Sequence, residues 1–185
     1  MQKGKDVSQQ QDVAEREKFA LYGFEIEIYD DWRVELNPKS SRLKGDVAFH
    51  TPKANRFFVS WGVLGEATKR FKTLDEHRDW NVKRVGKSPD VRKVELSETR
   101  EERIGGHRAL FSHLTADVRS GFMARNAASR NMWSIHLYCP ENERFYTVYS
   151  LLRDPQEFPD FTTMFNSVTR SFVCHKKLET QFTMH

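Results

Sequence analysis

Hydrophobic and polar positions along the chain alternate first with the period of a strand. Phe24, Ile26 and Ile28 fall on one side of FEIEIY and Glu25 and Glu27 on the other, the signature of a half-buried strand. Asp30-Asp31 then breaks the run, since aspartate side chains bond to nearby backbone and suit turns. WRVEL resumes it up to Asn37-Pro38 as a second strand, so Trp32 is expected to be a core residue that closes a hairpin. DVAFHTP and RFFVSWGVLG are rich in branched and aromatic residues and bounded by Pro, Asn and Gly, which predicts a third and fourth strand joined by a hairpin.

The period changes in TLDEHRDWNVKRVGK. Thr73 with Glu76 three residues on fits a capping box and Gly86 a stop, so a helix of about three turns is expected there. Residues 90–118 return to strand, pivoting on Gly105-Gly106, whose positive-φ freedom suits a two-residue hairpin turn. MWSIHLYC and RFYTVYSLL make a further pair around Pro140-Glu141-Asn142-Glu143, and RSGFMARNAASR between the pairs reads as a loop or short irregular strand. The strongest helical pattern comes last: Phe158, Phe161, Phe165, Val168 and Phe172 recur at three and four, with Asp154, Pro155 and Glu157 as a start signal and regular helix from near Pro159. Such a face must lie on the sheet.

The ends are plainer. Residues 1–18 are polar, with three consecutive glutamines and then the helix-favouring DVAEREK, which predicts a flexible start followed by at most a short helix. Residues 19–173 are expected to form one domain and 174–185 a tail. Composition changes this picture little: 185 residues suit one domain, and the aromatic residues, 14 Phe above all, supply a core despite 30% charged residues. No run has the roughly 18–20 apolar residues of a membrane span, and no leader is visible. Cys139 and Cys174 are too few for a disulfide framework, so two free thiols in a reducing, cytoplasmic compartment are expected.

The order of elements, with Trp32 in an early aromatic strand, the TLDE helix start, the RIGGHRALF turn and the closing NSVTRSF, resembles the PsbP-like family and its DcrB-type relatives over residues 19–173. Asp30-Asp31 stands where that family usually carries a proline shortly before its tryptophan. The resemblance implies an α+β fold, a three-layer α/β/α sandwich around a mainly antiparallel sheet. It also implies function by binding rather than catalysis. The family includes the extrinsic subunit of the oxygen-evolving photosystem, and a nuclear import factor that binds Ran shares the fold.

Candidate chemistry is sparse. Six residues apart in one strand, His107 and His113 stand about 20 Å from each other and cannot share an ion. His136 and Cys139 face opposite sides of a strand, and Cys174-His175 would need ligands from elsewhere, so neither metal nor cofactor is expected. There is no G-x-S-x-G elbow and no phosphate loop. GVLGEATK, with Gly62 and Gly65 only, reads as a strand end with a turn.

Charge adds one lead. Residues 69–108 hold twelve basic against eight acidic side chains, and residues 119–153 five against two. Within the second stretch Arg119, Arg125 and Arg130 bracket Phe122, a mix of cation and apolar tip suited to an acidic protein surface or phosphate. The expected function is a non-enzymatic protein-interaction or assembly module contacting its partner there. A nucleic-acid-binding domain using a basic face is the first alternative, disfavoured because only Phe122 is available for stacking. An enzyme with scattered site residues is the second.

Overall fold

The computed structural model describes residues 15–53, 55–120, 126–152 and 161–175. The expected start signal around Asp154, Pro155, Glu157 and Pro159, the Phe158 position of the terminal helix, and the glutamine run lie outside these residues. Nine strands and three helices are seen among them: β1 (Arg16–Leu21), β2 (Phe24–Tyr29), β3 (Arg33–Leu36), β4 (Gly45–His50), β5 (Arg56–Val63), α1 (Leu64–Arg70), α2 (Leu74–Gly86), β6 (Val91–Ile104), β7 (His107–Ser120), β8 (Asn126–Cys139), β9 (Arg144–Leu152) and α3 (Phe161–Arg170).

Seven strands form one antiparallel sheet in the order β3-β4-β5-β9-β8-β7-β6, and β1-β2 form a separate two-stranded hairpin. Alternation along the central strands sorts side chains between two faces. On one face Phe57, Val59, Phe111, Trp133, Ile135 and Val148 meet α3 and the hairpin to make the main core. On the other lie Ser60, Leu114, Ser134, His136 and Thr147, covered by α1 and α2. The result is the three-layer α+β sandwich expected from the resemblance.

The core is built on ring-to-ring contacts. Phe57 packs against Phe161 and Phe165 of α3 with centroids 5.5 and 5.6 Å apart, and Trp32 covers Phe57 at 4.8 Å. Phe24 of the hairpin stacks on Phe172 just past α3 and meets Tyr146 edge-on. Rings at these separations gain about 0.5–1.5 kcal/mol per pair beyond their burial. Arg100 closes the side of this layer, its guanidinium 3.4 Å from the centre of the Phe111 ring and bonded to Asn166 of α3.

Three expectations are corrected. Residues 16–21 form strand β1 rather than a short helix: Tyr22 and Gly23 both take positive φ, a tight turn that folds the segment back on β2, and Phe19 and Leu21 gain core contacts that outweigh local helix preference. Trp32 is buried as expected, but β2 and β3 do not pair. Asp30-Asp31 instead carries the chain from the hairpin into the large sheet, where β3 pairs with β4. Residues 64–70 form helix α1, not a turn; glycine at the second helical position, Gly65, does not prevent it, and Glu66 early with Lys69 and Arg70 late suits the helix dipole.

Phe57→Ala is expected to cost about 3–5 kcal/mol, as for other buried phenylalanines, because Trp32, Phe161 and Phe165 all lose a partner at once. Equilibrium urea unfolding measures it. A loss below about 1 kcal/mol would show that α3 is not held through this ring.

Candidate functional site

α2 is a poor match for a dry interface. Its buried residues are only Leu74 and His77, and the sheet face beneath it carries hydroxyls and imidazole rather than branched apolar groups. A cavity of about 610 Å³ remains between them. Its floor is Ser60, Ser134, His136, Thr147 and Tyr149, with Leu114 and Met132 beside them. Its roof is α1 and α2, through Ala67, Phe71, His77, Trp80 and Val85.

His77 is fixed on three sides. It stacks flat on Phe71 at 4.6 Å and meets the Phe145 ring edge-on at 4.9 Å, and the Tyr138 hydroxyl lies 3.3 Å from Nδ1. Gly62 makes room for this arrangement, since a Cβ there would stand 2.5 Å from Phe145. Burial, helped by the charge of Arg70, lowers the His77 pKa to about 4. His136 lies 6.1 Å away, ring to ring, and is 3% exposed. Neither of its nitrogens has a well-formed hydrogen bond, and burial lowers its pKa to about 3, with the charges of His77 and Arg78 adding to the effect and the backbone of Leu110 opposing it. Burial also pushes Tyr149 up to about 12. The cavity floor is therefore polar and uncharged.

The mouth differs. Arg70 and Arg84 stack on Trp80 with their guanidinium carbons 4.8 and 5.6 Å from the ring centre. Both arginines are exposed. Arg78, by contrast, is held by Asp79 and Asp75. Asp46 and Glu66 also border the opening, and the Asp46 carboxylate already accepts a hydrogen bond from Asn37.

Sequence reasoning did not find this cavity. The signal was present in MWSIHLYC, where Ser134 and His136 alternate with Trp133, Ile135 and Leu137, a strand with one wet face. The residues singled out by charge fare differently. Arg119 and Arg130 are exposed on paired strands, and alternation sends them to opposite sheet faces, with Arg130 on the cavity face two residues from Met132. Phe122 and Arg125 lie outside the described residues.

Four possible ligand atoms also meet at the sheet end formed by the β6–β7 and β8–β9 turns. The donors of His107, Cys139, Cys174 and His175 all lie within 4.8 Å of one another. His136 and Cys139 do point to opposite faces, while Cys174-His175 finds its partners across the fold, in β7 and β8. Both cysteines are unbridged and buried, and burial raises their thiol pKa values. His113, in the same strand as His107, is engaged elsewhere, stacked on Trp133 and 2.8 Å from Asn131. Among the described residues no helix is long and apolar enough to cross a membrane.

Below about pH 6.5 the unfolded chain protonates both imidazoles, whereas folded His77 and His136 stay neutral to about pH 4 and 3. The unfolded state then binds more protons, so stability falls as pH drops from about 6.5 towards 4. A urea midpoint series against pH should show this decline, and His136→Gln should make it shallower. An unchanged slope would mean His136 titrates alike in both states.

No family model matches the chain, and no curated protein sequence does. Solved structures do. The solution structure of cyanobacterial PsbP from Synechocystis sp. PCC 6803 is 15% identical with a TM-score of 0.64, covering 93% of this chain and 97% of its own. The Saccharomyces cerevisiae Ran-binding protein Mog1p is 8% identical with a TM-score of 0.60, covering 88% and 97%. A Pseudomonas aeruginosa protein of unknown function, described as a putative regulator, is 11% identical with a TM-score of 0.50, covering 88% and 99%. The likeness spans nearly the whole of each of these structures, and the chain has the PsbP/Mog1 fold.

Proposed function

We propose that this chain is a non-catalytic protein-interaction module that takes a carboxylate-bearing segment of its partner at the mouth of the α2 cavity. The observation that carries this reading is the Arg70–Trp80–Arg84 stack, an exposed cation and aromatic surface set over a neutral, polar floor. Guanidinium groups bind carboxylates bidentately, and an aromatic face between them holds them apart and in plane. Ser134, Thr147 and Tyr149 then offer hydroxyls to whatever follows the acidic group inside. Arg130, on the same face, extends the contact along β8.

Catalysis fits this cavity less well. Neither cavity imidazole, His77 or His136, has a carboxylate beside it to orient it as a base, and burial holds the thiols at the other end of the sheet in their protonated form. Mog1p, of the same fold, is a Ran-binding protein, which accords with a role in binding though it fixes no partner for this chain.

Fluorescence titration of the whole chain with a short glutamate-rich peptide provides the test, with Trp80→Phe identifying the reporting ring. Saturable binding is expected, weakened at least about tenfold by Arg70→Glu with Arg84→Glu, the loss expected of two charge-assisted contacts. Binding indifferent to that double change would overturn the reading. Preference for a single-stranded oligonucleotide, with affinity falling steeply with salt, would favour nucleic acid instead.

A further inference from the structure

We propose that His107, Cys139, Cys174 and His175 form a zinc site that fastens the segment after α3 to the end of the large sheet. The four residues come from three separate parts of the chain: the first position of β7, the last position of β8, and the two residues beyond the bridge that follows α3. Their convergence is produced by the tertiary fold, since neighbours in sequence supply only one pair.

The geometry is that of a tetrahedral site. His175 Nδ1 lies 3.3 Å from His107 Nε2, 3.3 Å from Cys139 Sγ and 3.4 Å from Cys174 Sγ. With zinc–nitrogen bonds of about 2.0–2.1 Å and zinc–sulfur bonds of about 2.3 Å, a tetrahedron has edges of about 3.3–3.8 Å. Those three edges are already in place, and every pair of donors is within 4.8 Å. Two sulfurs with two imidazoles suit zinc and exclude magnesium and calcium, which require oxygen ligands. Four protein donors also close the coordination sphere, the mark of a structural ion rather than a catalytic one.

The backbone holds these donors before any ion arrives. Val173 exchanges two hydrogen bonds of 2.8 Å with Glu25, and the Cys174 carbonyl accepts from the Asn142 side-chain amide and from the Tyr146 hydroxyl. Gly105, at positive φ in the β6–β7 turn, packs against this segment, and a Cβ there would lie 3.4 Å from the Phe172 carbonyl and 3.7 Å from Cys174 Sγ. The same turn delivers His107. Glu141 stands at the rim, 3.5 Å from His107 Nε2 and 3.6 Å from Cys139 Sγ, where its negative charge favours a cation.

Cobalt(II) reads such a site directly. Titrating the reduced, metal-free full chain should give the intense visible bands of tetrahedral cobalt with thiolate charge transfer, saturating at one ion per chain and bleached by zinc. His107→Gln and Cys174→Ser should each weaken cobalt binding more than about 100-fold, beyond the loss usual for changes in groups that merely support a ligand. His113→Gln, outside the cluster, should leave it unchanged. A weak octahedral spectrum, or no uptake by a chain that circular dichroism shows to be folded, would overturn the proposal.

Thiol labelling keeps the test independent of variant folding. In the wild-type chain both buried cysteines should react with a thiol reagent only as the fold opens, and do so at least about tenfold more slowly with zinc bound than after a chelator removes it. Labelling rates indifferent to zinc and chelator would also overturn the proposal. Neither measurement involves the α2 cavity.

Discussion

The packing of α3 against the sheet through phenylalanine is the contact on which the rest depends. Phe161 and Phe165 meet Phe57 and Trp133, and the chain leaves the helix through Phe172, which stacks on Phe24 of the β1–β2 hairpin. One row of rings thus sets the helix position, anchors the small hairpin and aims the segment carrying Cys174 and His175. Arg100 seals the flank by covering Phe111 while bonding Glu98, Glu102 and Asn166, so a charged edge strand also closes an aromatic core. Without this layer the aromatic face of the sheet would stand uncovered, whatever covers its second face.

That second face follows a different rule. Where α3 brings large apolar rings, α2 brings His77 and a nearly polar underside, and the strands answer with serine, threonine, histidine and tyrosine. Burial of such groups is tolerated when they bond to one another or border open space. His136, buried with no well-formed hydrogen bond, shows that packing alone does not account for this face. The sandwich is apolar on one side and polar, with open space beneath its helices, on the other.

Much of this was legible in sequence wherever local pattern and tertiary demand agree. The α3 stripe of Phe161, Phe165 and Val168, the capping of α2 by Thr73 and the glycine pair before His107 each announce themselves in a few residues. REKFAL does not, because its helix preference is overruled by pairing with β2, a contact outside any local window. The cavity was half visible: alternation in β8 shows a polar face but cannot say that the covering helix leaves space above it. The Cys and His cluster was hidden for a stronger reason, since His107, Cys139 and the Cys174-His175 pair are separated from one another by more than thirty residues and only the closed fold brings them together.

Alternation in the central strands also bears on how the chain finds its fold. Because β8 places Trp133, Ile135 and Leu137 on one side and Ser134 and His136 on the other, a slip of one residue against β7 or β9 would exchange them. Serine and imidazole would then face the phenylalanines of α3, and tryptophan would fill the cavity beneath α2. Each misaligned pairing is penalised on both faces together, so the contrast between them acts as a proofreading device for strand register during folding.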